Sequence, residues 1–123
     1  MSKRVLIVDD IDLILDFEEK VIESVKSDIG LSIVIDKANT VTEAKGLIDN
    51  HDYDLIISDM NLPDGTGTEI AKYGAHKNSE TRLAALTIYP QKYEMERAYF
   101  DAYFKKPILP SVFKDSLRLL LSA

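Results

Sequence analysis

Apolar residues fall into two rhythms along this chain. Short, largely apolar segments, most rich in Ile, Leu and Val, lie at residues 5–8, 31–35, 54–59, 82–88 and 102–107. They are too short for helices and read as strands, the central ones buried on both faces. Between them the spacing changes to three and four. Leu13, Ile14, Phe17, Val21, Ile22 and Val25 predict an amphipathic helix. Asp10 to Asp12 offer its cap and Gly30 its stop. Ala44, Leu47 and Ile48 predict a second helix with Thr42 as N-cap. A third is expected at 69–77, weakened by Gly74, and a fourth at 91–99 with Pro90 in its first turn. Val112, Phe113, Leu117, Leu120 and Leu121 mark the last. Residues 61–67, "NLPDGTG", read as a loop by composition.

Strand and helix alternate five times. That order implies an α/β fold, a doubly wound five-stranded parallel sheet with helices on both faces. Sheets of this kind bind ligands outside the carboxyl ends of their strands, where strand order reverses. Asp9, Asp10, Asp59, Thr87 and Lys106 all fall at or just after such ends.

Composition narrows the function classes. The 123 residues fit one domain, expected over residues 1–123, and 46% apolar with 29% charged residues is ordinary for a globular protein. A net charge of -6 argues against a nucleic-acid partner for this chain. Cysteine is absent, which excludes disulfides and thiolate metal sites. No apolar run approaches the roughly twenty residues of a membrane span. The expectation is a cytoplasmic protein without a membrane partner.

The clustered charges need an explanation. Three carboxylates at one sheet edge repel, and the strand that delivers two of them is apolar. A hard divalent cation such as Mg²⁺ would relieve this, since it takes oxygen ligands and keeps several waters. Asp59 would then stay ionised as a nucleophile toward phosphorus. Lys106 supplies a point charge and Thr87 a hydroxyl for phosphoryl oxygens. Taken singly, each has a plainer reading as a cap, a turn former or a surface charge; the ordered set carries the argument.

That set has a family likeness. The pair Asp9-Asp10, "SDMNLPDGTG" around Asp59, Thr87, and "YFKKP" ending in Lys106-Pro107 resemble the receiver domain of two-component response regulators over essentially the whole chain. The resemblance implies a flavodoxin-like, receiver-type fold. It implies a signalling switch, not a conventional enzyme, that catalyses its own phosphotransfer and dephosphorylation. The donor would be a sensor histidine kinase or a phosphotransfer protein, and the acceptor Asp59. Asp10, Asp59 and the backbone carbonyl of Asn61 would ligate Mg²⁺, with Asp9 acting mainly through a water. Thr87 would bond the phosphoryl group, Lys106 would pair with it, and Tyr103 matches the aromatic whose rotation accompanies activation. The Lys106–Pro107 bond is expected to be cis.

The chain departs from the family pattern where Ile88 and Tyr89 follow Thr87 and where "YFDA" precedes Tyr103 in place of a glycine-alanine pair. Ile88 could shield an acyl phosphate from water, or it could point into the core. Tyr89, Tyr99 and Tyr103 are the candidates for an output face toward a downstream effector. Three other readings compete: a haloacid-dehalogenase-type phosphatase, a flavin carrier, and a receiver-like binding module that is not phosphorylated. The first wants a carboxylate where Asn61 stands, and the second a phosphate loop where "DDIDLI" is acidic. Whether the chain stands alone or is part of a longer regulator is not written in it.

Overall fold

In a computed structural model, residues 2–122 are described. β1 (Ser2–Val8), β2 (Ser32–Ala38), β3 (Leu55–Asp59), β6 (Arg82–Thr87) and β7 (Ala102–Lys105) form one sheet in the order β2-β1-β3-β6-β7. Every neighbouring pair in it is parallel. The crossover at β1 sends β2 to one side and β3 to the other, and this is the reversal of strand order that opens a crevice at the carboxyl ends.

Each strand faces two ways, and each face has its own helices. Val5, Ile7, Leu55, Ile57, Ala84 and Leu86 pack against α1 (Asp12–Ile29) and α4 (Pro110–Leu121). Leu6, Val8, Ile56 and Leu83, one step out of phase, pack against α2 (Val41–Asn50) and α3 (Gly67–Lys77). Burial of each large aliphatic contributes roughly 1.5–3 kcal/mol. Leu6, Ile7, Leu55, Ile57 and Ile70 have essentially no exposed surface.

The structure differs from the sequence expectations in several places. The α1 N-cap is Ile11, with no side-chain cap bond. Asp12, one of the acids expected to cap it, accepts from the Asn39 side-chain amide at 2.9 Å, and Asp9, just before the expected caps, accepts a bond from Ile11 N–H at 3.0 Å. α1 does stop at Gly30, with φ 68, the left-handed conformation glycine tolerates. The N-cap of α2 is Thr40, not Thr42, and Thr40 Oγ1 accepts from Glu43 N–H at 3.1 Å. β2 runs three residues past its expected end because Lys37 and Ala38 still pair with Ile7 and Val8. The expected 61–67 loop contains a small hairpin, β4 (Asn61–Leu62) against β5 (Gly65–Thr66). α3 starts at Gly67, two residues early.

The largest difference is at 91–99. Only a six-residue 3₁₀ helix forms, Glu94–Tyr99, and none of its residues is buried. Met95 is 92% exposed, and Tyr93 is the single buried residue between Ile88 and Asp101. One anchor makes no apolar stripe, and tertiary packing is what stabilises most short helices. The strand before it ends at Thr87, so Ile88 lies outside the sheet and is 54% exposed. The reading of Ile88 as a core residue is thereby corrected. β7 ends at Lys105, and the Lys106–Pro107 bond is cis, as expected.

Candidate phosphoacceptor site

The site grows from the phase of three strands. Asp9 stands two residues beyond Ile7, Asp59 two beyond Ile57 and Lys106 two beyond Phe104, and all three hydrophobics pack on the α1 side. Alternation therefore aims these side chains to one face at the carboxyl edge. Oxygens of Asp9, Asp10 and Asp59 all come within 4.8 Å of one another. Asp9 is 1% exposed and Asp59 7%, whereas Asp10 is exposed. Three acid oxygens at this spacing suit a hard cation with oxygen ligands, and among the described residues neither His nor Cys joins the group.

Lys106 bridges the buried pair. Its Nζ lies 2.8 Å from Asp9 Oδ2 and 3.2 Å from Asp59 Oδ2. Burial alone would lower the lysine pKa, but Asp9 and Asp59 outweigh it, so the ammonium holds its proton more tightly than usual. The Asp59 pKa is raised as well, which for a carboxylate disfavours the charged form. Burial raises its pKa, and the Lys106 charge and the Asn61 N–H only partly offset that, while Asp9 adds to the rise. Asp59 Oδ1 accepts the Asn61 N–H at 3.2 Å.

Thr87 is held at the neighbouring strand end. Its carbonyl accepts from Lys106 N–H at 2.8 Å, and its Oγ1 accepts from Tyr89 N–H at 2.9 Å. Tyr89 and Tyr99 are exposed by nearly half. Tyr103 is half-buried, and its hydroxyl donates to the Pro90 carbonyl at 3.1 Å. Lys92 sits over Tyr89, Lys72 over Tyr99 and Arg97 over Tyr103, with ring distances of 5.8, 4.8 and 5.3 Å.

Comparison with known proteins settles the family. A family model, the response regulator receiver domain, matches residues 5–118. The chain belongs to that family. The response regulator protein PilR of Pseudomonas aeruginosa is 32% identical to this receiver over 78 residues, which are 63% of this chain and 18% of PilR. The receiver thus spans under a fifth of that relative's length. Among solved structures, a CheY-like receiver domain protein from Methanospirillum hungatei JF-1 is 29% identical at a TM-score of 0.83, covering 99% of this chain and 95% of that one. TrrA of Thermotoga maritima, solved in complex with Mg²⁺ and BeF, is 28% identical at 0.77, covering 97% and 99%. The BeF3-activated DrrB receiver domain, 20% identical at 0.82 over the full length of both chains, shares the fold. As a receiver domain the chain is a signalling module of two-component regulation, not a conventional enzyme. No helix among the described residues is long and apolar enough to cross a membrane.

Four residues of this receiver escaped the sequence reading. Asp64, in the turn after Asp59, accepts from Val41 N–H at 2.7 Å and Thr42 N–H at 3.0 Å, so it caps α2 from outside. Those bonds hold its carboxyl below the usual pKa. Asn39 ties the Asp9 carbonyl to Asp12. Tyr93 reaches Asn61 Oδ1 at 3.4 Å from a cluster with Met60 and Ala85. Glu18 is buried on α1 with neither oxygen hydrogen-bonded. Only Glu18 had a sequence signal, since it stands in phase with the buried Leu15, Ile22 and Val25.

Proposed function

We propose that this receiver takes a phosphoryl group from a phosphohistidine onto Asp59, in a Mg²⁺-dependent transfer, and that its output face changes as a result. The observation that carries this is the convergence of Asp9, Asp10 and Asp59 with the Lys106 ammonium between two of them. An Asp59 carboxylate oxygen attacks phosphorus, the P–N bond to the donor histidine breaks, and the histidine leaves with the bond's electron pair. Lys106 offsets the charge on the transferred group, and Thr87 can donate to one of its oxygens after leaving the Tyr89 N–H.

Asp9, Asp10, Asp59 and the Asn61 carbonyl would hold the Mg²⁺. When bound, it supplies positive charge that shields the acids from each other and orients the incoming phosphate. TrrA, a relative by sequence and fold, was solved with Mg²⁺ and BeF, which supports a divalent cation here. The donor would be a sensor histidine kinase or a phosphotransfer protein. Tyr103, Tyr99 and Tyr89 would carry the change to an effector, Tyr103 by releasing the Pro90 carbonyl. A haloacid-dehalogenase-type phosphatase would need an acid at Asn61.

Incubation with acetyl phosphate and Mg²⁺ is expected to add one phosphoryl group per chain, seen by intact mass. Asp10→Ala should lose both Mg²⁺ binding by calorimetry and the mass gain. Undiminished Mg²⁺ affinity in Asp10→Ala would place the cation elsewhere.

A further inference from the structure

Glu18 is 1% exposed, and neither carboxyl oxygen has a hydrogen-bond partner. A polar group buried this way costs free energy unless it acquires a partner in some state of the protein. Its place suggests which partner. Glu18 is in the middle of the core-facing stripe of α1, between Leu15 and Ile22. α1 begins at Asp12, directly beyond the end of β1, so its N-terminus is at the acidic edge of the sheet. Helical side chains lean toward the N-terminus, which tilts the Glu18 carboxyl up toward the floor of the site. Asp9, Asp59 and Lys106 are aimed at that same face of the sheet.

Lys106 has a reason to need it. An ammonium carries three donors, and the Lys106 bonds described go to Asp9 Oδ2 and Asp59 Oδ2. These carboxylates are the ones a divalent cation would claim. With its side chain 13% exposed, Lys106 has little access to water as a substitute. The charges of Asp9, Lys106 and Asp59 all act on Glu18, behind the larger effect of its burial.

We propose that Glu18 is a positioning residue for Lys106: an oxygen of its carboxyl accepts an ammonium proton of Lys106 when Mg²⁺ occupies the Asp9, Asp10 and Asp59 site. No proton has to leave or arrive, because a carboxylate and the carbonyl oxygen of a neutral acid both accept. Glu18 thereby lowers the cost of separating Lys106 from the carboxylates and favours cation entry. The inference rests on the reading of those acids as a Mg²⁺ site.

The test compares wild type with Glu18→Gln and Glu18→Met, which have similar length and no charge but differ in having an acceptor oxygen. Mg²⁺ affinity is measured by calorimetry and stability by urea denaturation. Glu18→Gln is expected to bind Mg²⁺ within about twofold of wild type, and Glu18→Met roughly fivefold or more weakly, the range of ordinary site-to-site coupling. Glu18→Met should nevertheless be the more stable fold, because it no longer buries a carboxyl. A purely structural role would raise stability and leave affinity unchanged. Wild-type affinity in Glu18→Met overturns the proposal, and so does equal weakening in both variants, since charge and not the oxygen would then be what matters. Should Glu18→Met fail to fold, Glu18→Leu takes its place with the same expectations. A wild-type protein that binds no Mg²⁺ would remove the metal reading itself, which separates the two failures.

Discussion

Glu18 shows what one residue can do to the pH dependence of the whole fold. Its burial raises the pKa well above that of an exposed glutamate, with Asp9 and Asp59 adding to the rise and Lys106 opposing it. In the unfolded chain the group titrates near 4.3. Below that value both states hold the proton and stability is full. Above it the unfolded state ionises while the fold keeps its proton, so stability falls as pH rises toward and through the folded pKa. Thermal melts of wild type are therefore expected to drop as pH rises above about 4.3, the unfolded value, and Glu18→Gln should drop less over the same rise. Parallel melting curves would show that Glu18 does not hold its proton in the fold. This residue was visible in the sequence as an acid at a core position of an otherwise apolar stripe. What it faces was not, because that depends on how α1 lies on the sheet. Asp9, Asp10, Asp59 and Lys106 could be read because they stand at or just after the carboxyl ends of strands, which the apolar runs mark locally.

At the scale of elements, the segment after Asp59 is held by contacts that no local pattern announces. The hairpin of β4 and β5 leads into α3, and Gly67 opens that helix hard against the site strand. A Cβ there would stand 2.7 Å from the Asp59 carbonyl oxygen, 3.0 Å from Met60 Sδ and 3.2 Å from Ser58 Oγ. The nearest of these is backbone, which cannot turn aside as a side-chain end can. Gly67→Ala is accordingly expected to destabilise the domain by about 1–3 kcal/mol in urea denaturation, the usual cost of overpacking. A change under about 0.5 kcal/mol would mean the strand end is softer than its packing implies. The "PDG" turn was legible as a turn, but the service of Asp64 as the outside cap of α2 was not, because its partners are more than twenty residues away. Thr42 has the right chemistry for a cap, but Thr40, two residues earlier, accepts from Glu43 N–H, and the Thr42 hydroxyl donates to Asp64 instead. The failed helix at 91–99 has the opposite cause. Its composition permits a helix, but a single buried tyrosine gives it nothing to lie on.

Across the whole molecule, the parallel order β2-β1-β3-β6-β7 gathers residues nearly a hundred positions apart at one edge. The alternation of strand and helix made this arrangement readable, since a five-fold repeat of that kind has few topologies open to it. The same edge would concentrate three negative charges unless something positive stood among them. Lys106 does so here, and Mg²⁺ would do so during transfer. The acceptor reading of Asp59 rests on that pairing of a buried acid with a half-buried cation. Its direct test is the intact mass of wild type and Asp59→Asn after incubation with acetyl phosphate and Mg²⁺, followed by peptide mapping of the labelled protein. Wild type should gain a single phosphoryl group, on the peptide that contains Asp59, and Asp59→Asn should gain none. Labelling of Asp59→Asn at the wild-type rate, or a phosphoryl group mapped to any other residue, would contradict it.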